Sequence, residues 1–322
     1  MNARTRQLLV ALILFVCGGA SCPRSRQVTN DFAPAVLEST ATLADVIRAV
    51  NTNSARIQQL ESQGATLTIE GLPTLDASYA IDRPRRMRLR AESGMLGPVL
   101  DIGSNDQIYW IWAKDSEQPG VYWGRHDEFD QSAAKDLLPV PPDWLIEAIG
   151  VVQLDPTAEH EGPEPVRPGQ LQIRSHLQTP QGPITKLTVV DDQRGWVMEQ
   201  HLFDAQQRSI ASAVASGFQF DQVTGTSLPR YVDIRVPAAQ LKFTLETQKH
   251  VINALSGDPN QLWNVPQMKN VPMVDLSDPQ INDLLSAPWL SARRPRRMAN
   301  RPSADQRSWG WPRLPSYFDR LR

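Results

Sequence analysis

Short runs in which apolar and polar residues alternate recur along most of this 322-residue sequence. Three clear runs cover residues 66–70, 86–91 and 241–246. Similar runs lie near 76–81, 98–102, 120–125, 171–177, 184–190, 196–203, 218–223 and 230–236. Glycine, proline and aspartate clusters separate the runs, as turns do. Successive side chains of a strand point to opposite faces, so the pattern predicts many short strands with one apolar face. We expect an antiparallel sheet that is curled on itself.

Two helices are predicted beside the sheet. Apolar residues at three- and four-residue steps predict an N-terminal helix over 41–62, with Gly64 as its C-terminal cap. In the middle of the chain, Asp143 is a good N-cap for a short helix over 144–149. Strands and helices do not alternate, which argues against a parallel α/β fold. The predicted class is therefore α+β, with the sheet covered by these two helices.

The N-terminus has the layout of a secretory signal peptide over residues 1–21. An apolar run at 8–16 follows two arginines, and it is shorter than the roughly 20 residues of a membrane-spanning helix. Small residues then precede Cys22. The chain has 2 cysteines, Cys17 and Cys22, so the folded part contains no disulfide and no cysteine metal site. This favours lipidation of Cys22, the alternative being cleavage at Ala20 or Ser21 by ordinary signal peptidase.

The rest of the chain divides into three parts. Residues 22–40 are predicted to be a tether and 41–255 the folded domain, in which the Pro- and Glu-rich stretch 155–169 is predicted to be a surface loop. Residues 256–322 are predicted to be an irregular Pro- and Arg-rich extension, largely disordered from 291. The tail from 291 to 322 has nine arginines against two aspartates. It is interpreted as an arm that docks on an anionic surface, or else as a tail without a partner. The docking arginines are Arg293, Arg294, Arg296 and Arg297.

The sequence contains no motif of a known catalytic site. No G-x-S-x-G, G-x-x-x-x-G-K-[ST] or G-x-G-x-x-G is present. The five histidines have no partner at metal-ligand spacing. A net charge of −2 argues against a nucleic-acid-binding polycation. We therefore predict a protein that is not an enzyme and that uses no cofactor, no metal and no nucleic acid.

Two clusters on the predicted strands admit two interpretations each. The aromatic residues of 108–113 and of 122–123 suit either the wall of a ligand cavity or ordinary core packing. On the first of these strands both faces are apolar, so one face needs a cover. Arg86, Arg88 and Arg90 form a basic row that suits either an acidic partner or a solvated face with cross-strand acids such as Asp82 or Glu70.

Four segments resemble the lipoprotein localisation superfamily, which contains the periplasmic carrier LolA and the outer-membrane receptor LolB. Residues 79–91 (YAIDRPRRMRLRA) and 108–112 (IYWIW) are similar to its early strands. Residues 195–204 (GWVMEQHLFD) and 228–245 (LPRYVDIRVPAAQLKFTL) are similar to the closing strands of the receptor. The resemblance covers about residues 41–250. It implies a half-barrel covered by helices, and the lipobox-like Cys22 favours the anchored receptor over the soluble carrier.

The resemblance also implies a function. Superfamily members bind lipoprotein acyl chains inside the half-barrel, so this chain is predicted to be an envelope lipoprotein that binds lipid or lipoprotein acyl chains and faces the periplasm. The cavity walls are assigned to Leu89, Ile108, Trp110, Trp112, Val232, Ile234, Phe243 and Leu245. The exposed apolar hairpin tip predicted at 94–97 is similar to the receptor's protruding loop. The alternatives are a scaffold or sensor that binds a protein partner with a filled interior, and a secreted or soluble periplasmic location.

Overall fold

The computed structural model describes residues 33–69, 73–114, 119–132, 140, 143–179, 182–239 and 241–278. Cys22 and the four predicted docking arginines, Arg293, Arg294, Arg296 and Arg297, lie outside the described residues. Their predicted roles therefore stay predictions.

A large open sheet makes up most of the described structure. Its strands are β1 (Gln59–Ile69), β2 (Leu75–Asp82), β3 (Arg86–Ser93), β4 (Gly97–Ser104), β5 (Ile108–Ala113), β6 (Val121–Arg125), β7 (Glu159–Arg167), β8 (Gln170–Thr179), β9 (Gly182–Asp191), β10 (Val197–Phe203), β11 (Ser209–Ser216), β14 (Tyr231–Val236), β15 (Leu241–Ile252) and β16 (Met273–Asp275). A separate hairpin consists of β12 (Gln219–Asp221) and β13 (Thr226–Leu228). The order in the sheet is β16-β6-β5-β4-β3-β2-β1-β15-β14-β11-β10-β9-β8-β7. All neighbours are antiparallel except β16 and β6.

Three α-helices lie in the described residues: α1 (Leu43–Ala55), α2 (Trp144–Ala148) and α3 (Pro259–Leu262). There are two short 3-10 helices: His126–Gln131 follows β6, and Pro237–Ala239 lies between β14 and β15. Thr42 and Asp45 form a capping box that starts α1. The predicted α+β class, an antiparallel sheet covered by an N-terminal and a mid-chain helix, is confirmed. The sheet was predicted to be curled on itself, whereas in the structure it is open, with β16 and β7 at its two edges.

The N-terminal helix is shorter than predicted. It ends at Ala55, and β1 begins at Gln59. Ile57 and Leu60 continue the helical spacing in the sequence, but both are buried in the core of the sheet. Gly64 lies inside β1 with φ +67°, where the pairing of β1 with β2 shifts. The glycine thus permits a bulge rather than a helix cap.

One face of the sheet, called the inner face here, carries the main core. Seven neighbouring strands from β3 to β10 contribute buried apolar residues to one cluster, and α2 packs into the same cluster. A second cluster joins α1 to β8 and β9, with Val46 and Val50 packed near Ile173 and Val190. Asn51 fixes α1 here, because its amide donates to Leu154 O at 2.7 Å and accepts from Leu154 N at 2.8 Å.

The opposite, outer face of β3 to β6 is covered by residues 256–278. Trp110, Trp112 and Val121 are buried there against Val265, Met268 and Val271. Arg88 Nη1 donates to the carbonyls of Gln261 and Leu262 at 2.8 and 3.1 Å. The boundary predicted at 255 is therefore wrong: at least 256–278 packs on the domain, and β16 extends the sheet at β6. The sequence did not predict this role, because apolar and polar residues alternate little in the segment. The segment covers a face of the sheet rather than crossing the sheet.

The stretch 155–169 is a strand and not a loop. β7 occupies Glu159–Arg167 and forms the edge of the sheet beyond β8. Pro163 and Pro165 are tolerated because an edge strand has one side that makes no ladder hydrogen bonds. The prolines and glutamates that suggested a loop are features that protect an edge from pairing with other chains.

Candidate functional site

The structure brings five of the eight predicted wall residues together. Leu89, Val232, Ile234, Phe243 and Leu245 are all buried on the inner face, in the core around α2. They are fully packed, and none of them lines the inner-face pocket described below. The alternation of apolar and polar residues correctly predicted that these five side chains share one face.

The two tryptophans lie on the opposite face. Leu89 pairs with Ile102, which pairs with Ile111, whereas Arg88 pairs with Gly103, which pairs with Trp110. The Trp110 ring lies over Gly103, where a Cβ atom would come within 2.1 Å of the ring. Trp110, Trp112 and Ile108 therefore cannot share a wall with Leu89. The predicted wall placed them there because both faces of β5 are apolar, and the covering segment was not recognised.

The row of three arginines is neutralised by acids on the neighbouring strand and turn. Arg88 Nε and Nη2 donate to Asp101 at 3.0 and 2.7 Å, and both side chains are buried. Trp110 Nε1 donates to the same carboxylate at 3.0 Å. Arg90 lies 3.5 Å from Asp101, and Arg86 pairs with Asp106 and Asp82. Cross-strand pairing explains the row, with Arg88 buried instead of solvated.

A pocket of about 360 Å³ lies on the inner face, between α2 and strands β8 to β10. Its size falls within the range of about 300–1,000 Å³ that is usual for small-molecule sites. The apolar side chains of its lining come from α2, from the segment after it, and from β8, β9 and β10. They are Trp144, Ile146, Val151, Leu154, Leu177, Ile184 and Leu202.

The polar groups around this pocket are largely paired. Lys186 forms an ion pair with Glu147 of α2, and Gln200 Nε2 donates to the Glu147 carbonyl at 3.0 Å. The His160 ring nitrogens lie 2.8 Å from Ser175 Oγ and 2.6 Å from Asp155 O. Two buried atoms, Trp144 Nε1 and Gln200 Oε1, have no hydrogen-bond partner among the described residues. The pocket can therefore hold an apolar chain beside polar groups that are mostly paired.

The predicted hairpin tip between β3 and β4 is exposed. The Met95 side chain is 96% exposed and Leu96 is 58% exposed. Gly97 has φ +70°, a conformation that favours glycine at this turn. Two neighbouring apolar side chains are therefore directed into solvent at this tip.

The histidines do not form a metal site. Within the described ranges, no group of three His, Cys, Asp or Glu side chains could hold a metal ion. His176 and His201 lie near Glu161 and Glu199, and His126 lies near Ser104. His250 is partly buried beside Tyr79, and this burial lowers its pKa to about 4.

Sequence reasoning missed the pocket. Ile184 and Leu202 lie in runs that were correctly predicted as strands, and Trp144 in a helix that was correctly predicted. The pattern does not show which strands a helix will cover, and that choice creates the pocket. The buried polar pair of Lys186 and Glu147 was the available signal, since a lysine on an apolar strand face needs a partner.

Comparison with solved structures finds distant matches. The chain is similar in structure to members of the LolA superfamily. A domain from Vibrio parahaemolyticus, described as an outer-membrane lipoprotein-sorting protein, matches with a TM-score of 0.44 and 7% identity over 67% of this chain and 95% of that one. A LolA superfamily protein from Nitrosomonas europaea matches with a TM-score of 0.43 and 9% identity, over 70% and 98%.

A third similar structure is a DUF1329 family protein from Desulfovibrio piger, with a TM-score of 0.42 and 9% identity over 68% of this chain and 97% of that one. Scores and identities at this level carry no argument about ligand or activity. No family model and no curated protein matches the sequence. In the described part of the chain, no helix has the length and apolarity needed to cross a membrane.

Proposed function

We propose that this protein is an envelope lipoprotein, anchored through Cys22 and facing the periplasm, which binds an acyl chain in the inner-face pocket. The role is non-enzymatic and belongs to the handling of lipids or lipoproteins, including their localisation. The observation that carries the proposal is the pocket between α2 and β8 to β10, with its mainly apolar lining.

The chemistry of the lining suits a lipid tail. Burial of a methylene chain contributes roughly 0.8 kcal/mol per CH₂. This gain is kept only where the chain leaves no polar group unpaired. Lys186 and Glu147 neutralise each other, and His160 is hydrogen-bonded, so a chain can pass these groups.

Two further features fit a protein that works at a membrane. The acylated Cys22 would supply the anchor, since several acyl chains together hold a protein firmly. Met95 and Leu96 would enter the acyl region of the membrane, because apolar side chains this exposed are stabilised by burial.

The pocket is tested with a fluorescent fatty acid and a substitution that fills the pocket. Ile184 is half-buried at the pocket, so Ile184→Trp places extra volume in the open space. We expect binding to weaken at least about tenfold, a loss of roughly 1.4 kcal/mol. Val214→Trp is the matched control, because Val214 is 40% exposed on β11 and lies outside the lining. Equal binding by all three proteins would place the ligand elsewhere.

One observation favours the second candidate, a scaffold or sensor that binds a protein partner. The centre of the inner face is filled: α2 packs among the buried residues of seven strands, with no room beside Leu89 or Phe243 in that core. If the wild-type protein binds no fatty acid at all, this second function is the better account.

A further inference from the structure

A second pocket, of about 530 Å³, lies where the described chain begins. It is called the arginine cleft here. Its walls are formed by the segment 33–41, one side of α1, the turn after β9, and the β12–β13 hairpin. Three arginines line it: Arg48, Arg56 and Arg194. The cleft is separate from the inner-face pocket and shares no lining residue with it.

Two of these guanidinium groups are held in place without a carboxylate. Arg56 Nη1 donates to the carbonyl of Gly225 at 2.7 Å. Arg194 lies over the Trp196 ring, 5.0 Å from its centroid, and Trp196 in turn stacks on Phe218 at 4.8 Å. Both side chains line the cleft. Guanidinium groups that are held in place without a carboxylate are suited to phosphate oxygens.

The acids of the cleft do not cancel this charge. Asp45 and Glu38 are the acidic residues in the lining. The Asp45 carboxylate accepts from the Thr42 backbone at 3.0 Å and from Arg48 at 3.0 Å. Its pKa is held below the usual value, first by the Thr42 hydroxyl. Asp45 is thus occupied by the helix cap and Arg48. With the exposed Glu38 included, the lining keeps a formal charge of 3 − 2 = +1, which is carried by Arg56 and Arg194.

Two exposed apolar side chains belong to the elements that form the cleft. Val36 lines the cleft and is 55% exposed, and Val223 is 95% exposed in the β12–β13 turn, two residues before the lining residue Gly225. Ala33 also lines the cleft, and it follows Cys22 by 33 − 22 = 11 residues. A fully extended chain of this length spans at most about 40 Å. A protein anchored at Cys22 would therefore keep this cleft close to the membrane surface.

We propose that the arginine cleft binds the headgroup of an anionic phospholipid and that this face of the domain docks on the membrane. Arg56 and Arg194 would bind the phosphate oxygens, while Val36 and Val223 would enter the interface beside the headgroup. The short distance to the membrane rests on the anchor in the proposed function, but binding of the headgroup does not.

The test uses the mature full chain with Cys22→Ser, so that no acyl chain contributes. Its affinity is measured by co-sedimentation with vesicles of phosphatidylcholine and phosphatidylglycerol in equal parts, and with phosphatidylcholine alone. Arg56→Gln with Arg194→Gln should weaken binding to the anionic vesicles about thirtyfold. The matched control is Arg208→Gln with Arg235→Gln, which removes the same charge from exposed arginines outside the cleft. It should change binding less than about threefold, a value typical of diffuse charge effects.

Two further arms identify the source of the phosphate. Val223→Ser changes no charge, but it should weaken binding to vesicles because Val223 would enter the membrane interface. Binding of a free phosphate ester would not depend on Val223. Soluble glycerol phosphate should bind far more weakly than the vesicles. The proposal is overturned if both arginine pairs weaken binding equally, if neither does, or if glycerol phosphate binds as tightly as vesicles. Fatty-acid binding in the inner-face pocket should stay unchanged, so failure of this proposal is distinguishable from failure of the proposed function.

Discussion

Lys186 of β9 and Glu147 of α2 form an ion pair beside the inner-face pocket. The side chain of Lys186 is only 6% exposed, whereas that of Glu147 is 29% exposed. Glu147 also accepts from Gln200 of β10 through its backbone carbonyl. This pair attaches a five-residue helix to the sheet, and the helix forms one wall of the pocket.

Removal of the acid should destabilise the fold. Glu147→Ala leaves the Lys186 ammonium buried without its partner, and we expect the free energy of unfolding to fall by about 3 kcal/mol. Urea denaturation measures this change. Glu161→Ala is the control, because Glu161 is 59% exposed and pairs with Arg174 on the surface, where loss of the pair should cost less than about 1 kcal/mol. Similar losses of unfolding free energy in both variants would show that the buried pair stabilises the fold no more than the surface pair does.

His250 should make stability depend on pH. Burial lowers its pKa to about 4, from an ordinary value of 6.5. Below pH 6.5 the unfolded chain binds a proton that the folded protein refuses, so stability is lost as the pH falls from about 6.5 to about 4. The loss is up to about 3 kcal/mol. His250→Gln should flatten the dependence in this window, as measured by urea denaturation at a series of pH values. If the slope of unfolding free energy against pH is unchanged, groups other than His250 cause the dependence.

Arg88 should hold the segment 256–278 on the outer face. Arg88→Ala removes its hydrogen bonds to the carbonyls of Gln261 and Leu262. We expect faster hydrogen exchange at amides of this segment, including that of Leu276, which donates to Trp123 O at 2.8 Å. Arg86→Ala is the comparison, because Arg86 pairs with Asp82 and Asp106 only. If the segment exchanges no faster than in wild type, apolar packing around Trp110 suffices to hold it.

Most of the fold could be predicted because its signals are local. Period-two alternation places Leu67, Leu89, Phe243 and Leu245 on one face, and Asp143 marks the start of a helix. The segment 256–278 could not be assigned, because its contacts with Arg88 and Trp110 depend on side chains more than a hundred residues away. A segment that covers a face built from distant residues has no periodic pattern in its own sequence.

The functional site was less predictable than the fold. The tryptophans of β5 were assigned to the inner face, but an alternating strand with two apolar faces does not reveal which face is inside. In the structure, pairing of Asp101 with Arg88 and Trp110 shows that this face belongs under a cover. The pocket depends on where α2 lies on β8 to β10, and no local pattern specifies that position.

Lipidation of Cys22 is tested by fractionation. The wild-type protein should remain with the membrane after a high-salt wash, because acyl chains resist salt, whereas Cys22→Ser should move to the soluble fraction. The arginine cleft alone would leave a weaker, salt-sensitive association. A Cys22→Ser protein that stays on the membrane in high salt would place the anchor elsewhere.

Mass spectrometry of the intact protein, extracted gently from its native envelope, tests the central claim most directly. The account predicts a chain that begins at an acylated Cys22 and carries a bound lipid, and it predicts that Ile184→Trp loses this lipid while Val214→Trp keeps it. An unmodified N-terminus together with an empty pocket would contradict the account.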